Sequence, residues 1–425
     1  MSRILTSLKS LLPESLLNII RPIYHFSLAY LADLWYRSPS QDIFIIAVTG
    51  TKGKSTVTEL VTRILETEGH KVASLSTIQF KIDEEVERNM HKMTMPGRFF
   101  VQKFLRRAVK AKCTHAIIEM TSEGAKQFRH RFIELDALIF TNLTPEHIES
   151  HGSFEKYKQA KLTIAKQVAE SKKSPRYIVA NVDDEHGQDF LNFDIENKLP
   201  YSLKDLSLYS LHRDSVSLVL DSATIRVPMI GLFNVYNILA AITFTRALGV
   251  SLITIDKALR NTPKIAGRVE QFHSPQSSSK KITAVVDYAH TPDSLKQLYQ
   301  AFPDVTKICV LGNTGGGRDS WKRPEMGTIA DKHCDHIILT NEDPYDEDPN
   351  KIIEQMTKGI RDKAKLEIIM DRREAIRTAL EKAPNNSYVL ITGKGTDPYI
   401  MGPRGTKTSW SDAEVVQEEL LKLKD

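Results

Sequence analysis

The run Thr49-Gly50-Thr51-Lys52-Gly53-Lys54-Ser55-Thr56 constrains this chain more than any other segment. It follows the apolar stretch Ile43–Val48 and precedes a helix-compatible stretch, Val57–Glu66. A buried strand, a glycine-containing turn and a helix start therefore fall in order. Main-chain N–H groups of such a turn, with a helix N-terminus behind them, make a cradle for an anion. Lys54 can reach the outer phosphates of a nucleotide, and the Ser55 hydroxyl can ligate Mg²⁺. The usual spacing asks for glycine where Val48 stands, so this is a compressed form of the loop centred on Gly50. Gly50, Thr51, Lys52, Gly53, Lys54, Ser55 and Thr56 are expected to cradle nucleotide phosphates.

A chain of 425 residues holds roughly two to three domains. Its net charge of +5 is small for this length. It does not argue for nucleic acid and suits an anionic substrate. Cys113, Cys309 and Cys334 are scattered. They show neither metal spacing nor a disulfide framework, which predicts a reducing, cytoplasmic setting. Residues 16–35 are rich in Leu, Ile, Tyr and Phe, but Arg21, Pro22, His25 and Asp33 interrupt them. A membrane span is not expected, nor a secretory signal. The stretch reads as a core or interface helix. Lys9, Arg21 and Arg37 are few cations for a membrane-surface helix.

Strand-like runs then alternate with helix-like ones. The strands are Ala116–Met120, Ala137–Phe140 and Tyr177–Val182; the helices are Phe99–Lys112 and Phe154–Ser171. This predicts an α/β fold with a mostly parallel sheet and ligands at the carboxyl ends of the strands. Short alternating runs at 215–220 and 223–227 suggest a β-hairpin, and a helix begins near Asn234. A second α/β series follows: Ile282–Asp287, Lys307–Leu311, His336–Thr340 and Tyr388–Thr392. The expected division is a helical segment 1–40, a P-loop-type ATP-binding central domain 41–265 and a Rossmann-like α/β domain 266–425.

Several strand-end loops carry donors. Glu119 ends a strand, and His147 closes Asn142-Leu143-Thr144-Pro145-Glu146-His147. Both can hold a divalent ion beside phosphates. Lys161 by itself reads as a solvated lysine on a helix. In the second series, polar or Gly-rich loops follow successive strands: Asp287–Pro292, Gly315–Asp319, Asn341–Tyr345 and Gly393–Asp397. Four such loops in one domain outline a site.

Taken in order, these segments resemble the Mur ligase family, and most closely its muropeptide synthetases that add the third residue of the stem peptide. The resemblance runs from about residue 43 to the C-terminus. It rests on 50–56, Thr94-Met95-Pro96, Glu119–Ser122 with Gln127 and Arg129, Phe140–His147, His151-Gly152 and Tyr157–Lys161. It continues through Phe233–Asn237, Gly267–Glu270, Asp287–Pro292, Gly317-Arg318-Asp319, Lys322-Arg323-Pro324, Glu347–Pro349, Asp371–Arg373 and Gly393–Gly395. The resemblance implies an ATP- and Mg²⁺-dependent amide ligase that activates a D-glutamyl carboxylate as an acyl phosphate. Lys54 and His147 would act in catalysis, together with Lys161, which the family carries as a carbamylated lysine. Ser55, Glu119 and His147 would ligate Mg²⁺. Asn237, Arg268 and Asp287 would contact ATP. Thr94, Thr121, Gln127 and Arg129 would hold the nucleotide-sugar peptide, and Arg318, Gly393 and Asp397 the incoming amino acid.

The chain departs from the family in two places. Only 49 residues precede Gly50, fewer than a full uridine-binding domain needs. An acceptor without UDP, or contacts supplied by a partner, both stay open, with residues 1–35 as a partner or dimer contact. The selector loop reads Glu342-Asp343-Pro344-Tyr345, where members using meso-diaminopimelate carry Asp-Asn-Pro-Arg. Tyr345 lacks the charge that pairs with a distal carboxylate, and Glu342 and Asp343 would favour an ammonium. This leans towards L-lysine or another diamine over meso-diaminopimelate. Two other readings remain: a folylpolyglutamate-type ligase, and a catalytically silent Mur-like binding subunit.

Overall fold

The computed structural model describes residues 14–423. The first helix, α1 (Glu14–Trp35), leads to β1 (Phe44–Thr49) and α2 (Lys54–Thr67). β1 is buried almost throughout, as expected of a strand covered on both faces. An eight-stranded sheet forms around it from β2 (Val72–Leu75), β3 (Gln79–Ile82), β4 (Glu85–Arg88), β5 (His115–Glu119), β6 (Ala137–Phe140), β7 (Tyr177–Asn181) and β8 (Asn197–Tyr201). The order is β4-β3-β2-β5-β1-β6-β7-β8. Pairing is parallel except for the β2–β3 and β3–β4 contacts at one edge. β1 lies between β5 and β6, so the chain leaves it at a switch point where a crevice opens at the strand ends.

Each face of this sheet has its own apolar layer. Val57, Leu60, Val61 and Ile64 of α2 pack on one face together with the helix Leu232–Ala247. Phe104 and Leu105 of α3 (Arg98–Lys110) pack on the other with Tyr157 and Ile164. A three-stranded sheet follows, β9 (Leu208–Leu211), β10 (Val216–Leu220) and β11 (Ala223–Val227), in the order β11-β10-β9. The second large sheet holds β12 (Glu270–His273), β13 (Ile282–Asp287), β14 (Lys307–Leu311), β15 (His336–Leu339), β16 (Leu366–Ile368) and β17 (Ser387–Thr392). Its order is β12-β13-β17-β14-β15-β16, with β12 alone antiparallel.

The mixed α/β architecture agrees with the sequence reading, and the parallel strands fall within a residue or two of expectation. The strands β2–β4, β8, β9, β12 and β16 were not foreseen. β4 is exposed along its whole length, so it carries no apolar period to read. The cysteine reading is corrected. Cys309 in β14 and Cys334, just past the helix Lys322–His333, form a disulfide with Cα atoms 6.0 Å apart. The crossover helix returns the chain beside its starting strand, which brings together cysteines that sequence spacing leaves separate. The cysteine argument for a reducing compartment goes with that correction. Residues 1–13, part of the expected contact segment 1–35, lie outside the described residues. Among the described residues no helix is long and apolar enough to cross a membrane.

Candidate active site

The turn after β1 is pressed against its neighbours. Gly50 has φ +150°, and a Cβ there would lie 1.9 Å from Thr141 Oγ1; Gly53 has φ +83°, and a Cβ would lie 2.2 Å from Asn237 Oδ1. Only glycine meets both demands. Thr141 Oγ1 donates to the Lys52 carbonyl at 2.6 Å, and Asn142 Oδ1 accepts from the Lys52 N–H at 2.9 Å. The Thr51 hydroxyl lies 2.9 Å from the Tyr157 hydroxyl. The β6 end therefore shapes the compressed loop.

Lysines converge on this turn. Lys54 Nζ donates to the carbonyls of Gly50 and Thr51 at 3.0 Å each. Lys161 Nζ donates to the same Gly50 carbonyl at 2.8 Å and is 2% exposed. Burial lowers the Lys54 pKa, with Glu119 and Glu146 opposing. Burial, then the neighbouring Lys54 charge, carries Lys161 well below the usual lysine range. A cluster of buried lysines that disfavour one another's charge around one turn is suited to receive a polyanion.

The expected metal ligands flank it. Glu119 is fully buried and accepts from the Thr77 N–H at 3.2 Å and the Thr77 hydroxyl at 2.9 Å. Burial lowers the His147 pKa, which favours the neutral imidazole that ligates metals. Ser55 Oγ accepts from Arg268 at 3.3 Å. Among the described residues no three His, Cys, Asp or Glu side chains form a metal cage. The donor set fits Mg²⁺ only where phosphate oxygens complete the shell, as is common for that ion.

The second large sheet supplies the opposite wall. Arg268 reaches Ser55 while its guanidinium sits 4.7 Å over the Tyr288 ring. Asp287 accepts from the Val269 N–H at 2.8 Å and the Ala289 N–H at 2.7 Å. With both oxygens engaged, it positions the loop that carries Arg268. Asn237 faces Gly53 and donates to Asn234 Oδ1 at 3.0 Å.

Side chains that the sequence reading quoted without a role close the two walls together. Glu146 Oε1 lies 3.2 Å from Lys52 Nζ and 2.9 Å from His290 Nε2. Asp319 accepts from the main-chain N–H groups of His147 at 2.7 Å and Glu149 at 3.2 Å. Glu146, His290 and Asp319 all stand inside loops whose pattern was visible. Burial pushes the Glu146 carboxyl up, but Lys52, His147 and His290 outweigh it and hold it well below the usual range. A carboxyl depressed in the folded state stabilises above its unfolded pKa and loses that contribution as pH falls. Glu146→Gln is therefore expected to cost about 3 kcal/mol at pH 7. The deficit should shrink below pH 4.5, the group's ordinary value. Denaturant melts across pH test this; a deficit that persists undiminished well into acid would contradict the assignment.

On the acceptor side, Thr94 Oγ1 lies 3.0 Å from Thr77 Oγ1, linking it to Glu119. Thr121 caps the short helix Ser122–Lys126. Gln127 Oε1 accepts from Arg129 at 2.7 Å, and Arg129 also donates to the Met95 carbonyl. On the amino-acid side, Arg318 is exposed with its guanidinium 5.4 Å from the Tyr345 ring centre. Gly393, at φ +106°, faces the buried Glu342, and Pro344 packs its carbonyl near Gly315. Burial, with the Asp343 charge next, raises the Glu342 carboxyl.

The reading of Asp343 as free for an incoming ammonium is corrected. Lys394 Nζ lies 2.8 Å from both its oxygens, and Lys92 Nζ lies 2.7 Å from Oδ2. Lys92 also pairs with Asp397 at 3.0 Å. Internal lysines thus occupy both carboxylates. Lys92 belongs to no motif, so nothing in the sequence pointed to it.

A lysine-lined glycine turn set between two α/β sheets has the build of a nucleotide-driven enzyme. The Mur ligase middle domain matches residues 48–245, and the Mur ligase glutamate ligase domain matches 267–395. The chain is 34% identical over 392 residues to the UDP-N-acetylmuramoyl-L-alanyl-D-glutamate--2,6-diaminopimelate ligase of Syntrophomonas wolfei, covering 88% of this chain and 77% of that one. The ligase of the same name from Clostridium botulinum is 34% identical over 409 residues, 93% of this chain and 81% of that one. A solved structure of a ligase with that name superposes with a TM-score of 0.58 at 28% identity, over 89% of this chain and 78% of the other. A folylpolyglutamate synthase from Mycobacterium tuberculosis shares the fold, with a TM-score of 0.67 at 14% identity over 90% and 95% of the two chains. The chain belongs to the Mur ligase family. It is accordingly an ATP-dependent, ADP-forming amide ligase.

Proposed function

We propose that this chain joins a diamino acid to the D-glutamyl carboxylate of a UDP-N-acetylmuramoyl-L-alanyl-D-glutamate-type acceptor in peptidoglycan synthesis, using ATP and Mg²⁺ in the cytoplasm. The observation that carries this reading is the placement of Lys92. It stands two residues before Thr94 and binds Asp343 and Asp397. The acceptor wall and the amino-acid wall therefore meet within one side chain's length, in the crevice that holds the lysine turn.

In this reading the N–H groups of 50–56 and Lys54 hold the triphosphate. Lys54 neutralises charge as the γ-phosphoryl passes to the carboxylate. Mg²⁺, when bound, would draw charge from the phosphate oxygens, with Ser55, Glu119 and His147 as its protein donors. Arg268 approaches the same phosphates from the second unit, so closure completes the site and excludes water. Gln127 and Arg129 orient the acceptor. The amine of the diamino acid attacks the acyl phosphate and phosphate leaves. Arg318 is an exposed cation against the selector-loop Tyr345 ring and supports recognition of a distal carboxylate. With Asp343 already paired, this favours 2,6-diaminopimelate over L-lysine. The folylpolyglutamate alternative rests on fold alone.

Lys161 is assigned as a carbamylation site. Its lowered pKa favours the unprotonated amine, which adds CO₂ and releases a proton to leave a carboxylate-like carbamate. The division of the chain near residue 266 into two catalytic domains is part of the same proposal.

The test is phosphate release from ATP against a panel of amino acids and acceptors, with products read by mass spectrometry. Release is expected to require both the muramoyl dipeptide acceptor and a diamino acid. Arg318→Ala should raise KM for diaminopimelate by at least about tenfold and change lysine use little. Turnover with a folate acceptor, or none with any muramoyl acceptor, would overturn the proposal.

A further inference from the structure

α1 turns an apolar face to solvent. Its inner side is seated: Ala29 and Ala32 are buried, and Phe26 and Tyr30 meet the Phe132 ring at 5.1 and 5.4 Å. Arg106 anchors its end by donating to the carbonyls of Tyr36 at 2.9 Å and Arg37 at 2.7 Å. The outer side holds Ile23, Tyr24, Leu31, Leu34 and Trp35, with Trp35 76% exposed, Ile23 64% and Leu34 61%. At 3.6 residues per turn these fall in one sector, which Ser27 interrupts and no charged residue does. A solvated helix puts charge there instead. Leu31, Leu34 and Trp35 also line a shallow apolar groove with Phe99 of α3.

Charge distinguishes the occupants. Arg21 and Arg37 are exposed at the two ends of the stripe and make no ion pair among the described residues. The sequence before the helix adds Arg3 and Lys9 and, through residue 13, no acid. The nearby Asp33 is turned inward to accept from Ser38 at 2.7 Å. Two copies of α1 packed antiparallel would set Arg21 of each against Arg37 of the other, with no exposed acid on the stripe to relieve them. Arg21 and Arg37 are few by count for a membrane-surface helix, but a sheet of anionic headgroups meets both at once while the uncovered apolar face supplies the main contact, and Tyr and Trp are the residues that favour such a boundary. Twenty-two residues span about 33 Å in a helix too polar overall to cross a bilayer, which leaves the in-plane orientation.

We propose that the outward face of α1 docks on an anionic lipid surface, lying in the headgroup plane. The docked helix holds the acceptor side of the crevice at that surface, because the loop it packs on, around Phe128 and Phe132, carries Gln127 and Arg129. The proposal does not depend on which reaction the crevice performs.

The test is sedimentation of the full chain with vesicles of phosphatidylcholine alone or with equal parts of phosphatidylglycerol, alongside sedimentation velocity without lipid. Binding to the anionic vesicles should exceed binding to neutral ones by about tenfold or more, with Trp35 fluorescence quenched by brominated lipid. Leu31→Glu with Leu34→Glu should abolish binding. Both side chains point outward, so circular dichroism and turnover on a soluble acceptor should not change. Arg21→Glu with Arg37→Glu should remove the preference for anionic vesicles. Failure to bind either vesicle, equal binding to both, or a lipid-independent dimer that the leucine variant dissolves would each overturn the proposal.

Discussion

Replacing Lys54 by alanine is expected to lower acceptor-dependent phosphate release by roughly a thousandfold or more, with the fold intact. Lys52 on the same turn is already paired with Glu146, so the Lys54 ammonium is the charge placed to follow the transferring phosphoryl, and its loss falls on the transition state. In the free protein its bonds run only to the carbonyls of its own loop, and its neighbours include Lys52 and Arg268. Removing it relieves its burial and that repulsion but also withdraws a cation from the buried Glu119 and Glu146, whose attractions are larger, so the thermal midpoint should fall only modestly. Turnover and calorimetry on the same preparation separate the two effects. Unchanged product formation would sink the mechanism; a collapsed midpoint would show that Lys54 is structural.

Lys161 should behave differently. Lys161→Ala is expected to lose at least about a hundredfold in turnover, and depletion of bicarbonate should reduce wild-type activity reversibly. The sign follows from the pKa. An amine held well below the usual lysine range is deprotonated at lower pH than an ordinary lysine, and only that form adds CO₂. Recovery with bicarbonate should therefore be faster at higher pH. Alanine removes the attachment point, so bicarbonate should not rescue the variant, while a small carboxylate such as acetate should do so in part. A carbon-13 carbamate signal in wild type, missing in the variant, would identify the adduct directly. Full activity in bicarbonate-free buffer would return Lys161 to a plain cation beside the Gly50 carbonyl.

Much of the site could be read from the chain because its chemistry is local. The 50–56 turn needs residues adjacent in sequence, and the strand-end loops announce themselves by a change from apolar to polar residues. The interlocking pairs could not be read. Glu146 with His290 and Lys92 with Asp343 join residues separated by 144 and 251 positions, and no periodicity encodes such a distance. Asp343 shows the consequence. Read alone, its carboxylate invites an ammonium ligand; in the fold Lys394 and Lys92 have already taken that place. The first helix shows the converse. Its composition suggested a buried or partnered element, and only the packing of its inner side against Phe132 revealed which residues face outward.

The amino-acid order alone determined the alternating α/β plan, the glycine-lysine turn at 50–56 and the family, because each depends on short-range spacing and on loops that recur in order. Tertiary structure decided which charges are free and which are already neutralised, which cysteines pair, and which face of α1 lacks a cover. Those are matters of what lies within a few ångströms across the fold, and burial in a low-dielectric interior is what turns such proximity into altered pKa values and closed walls.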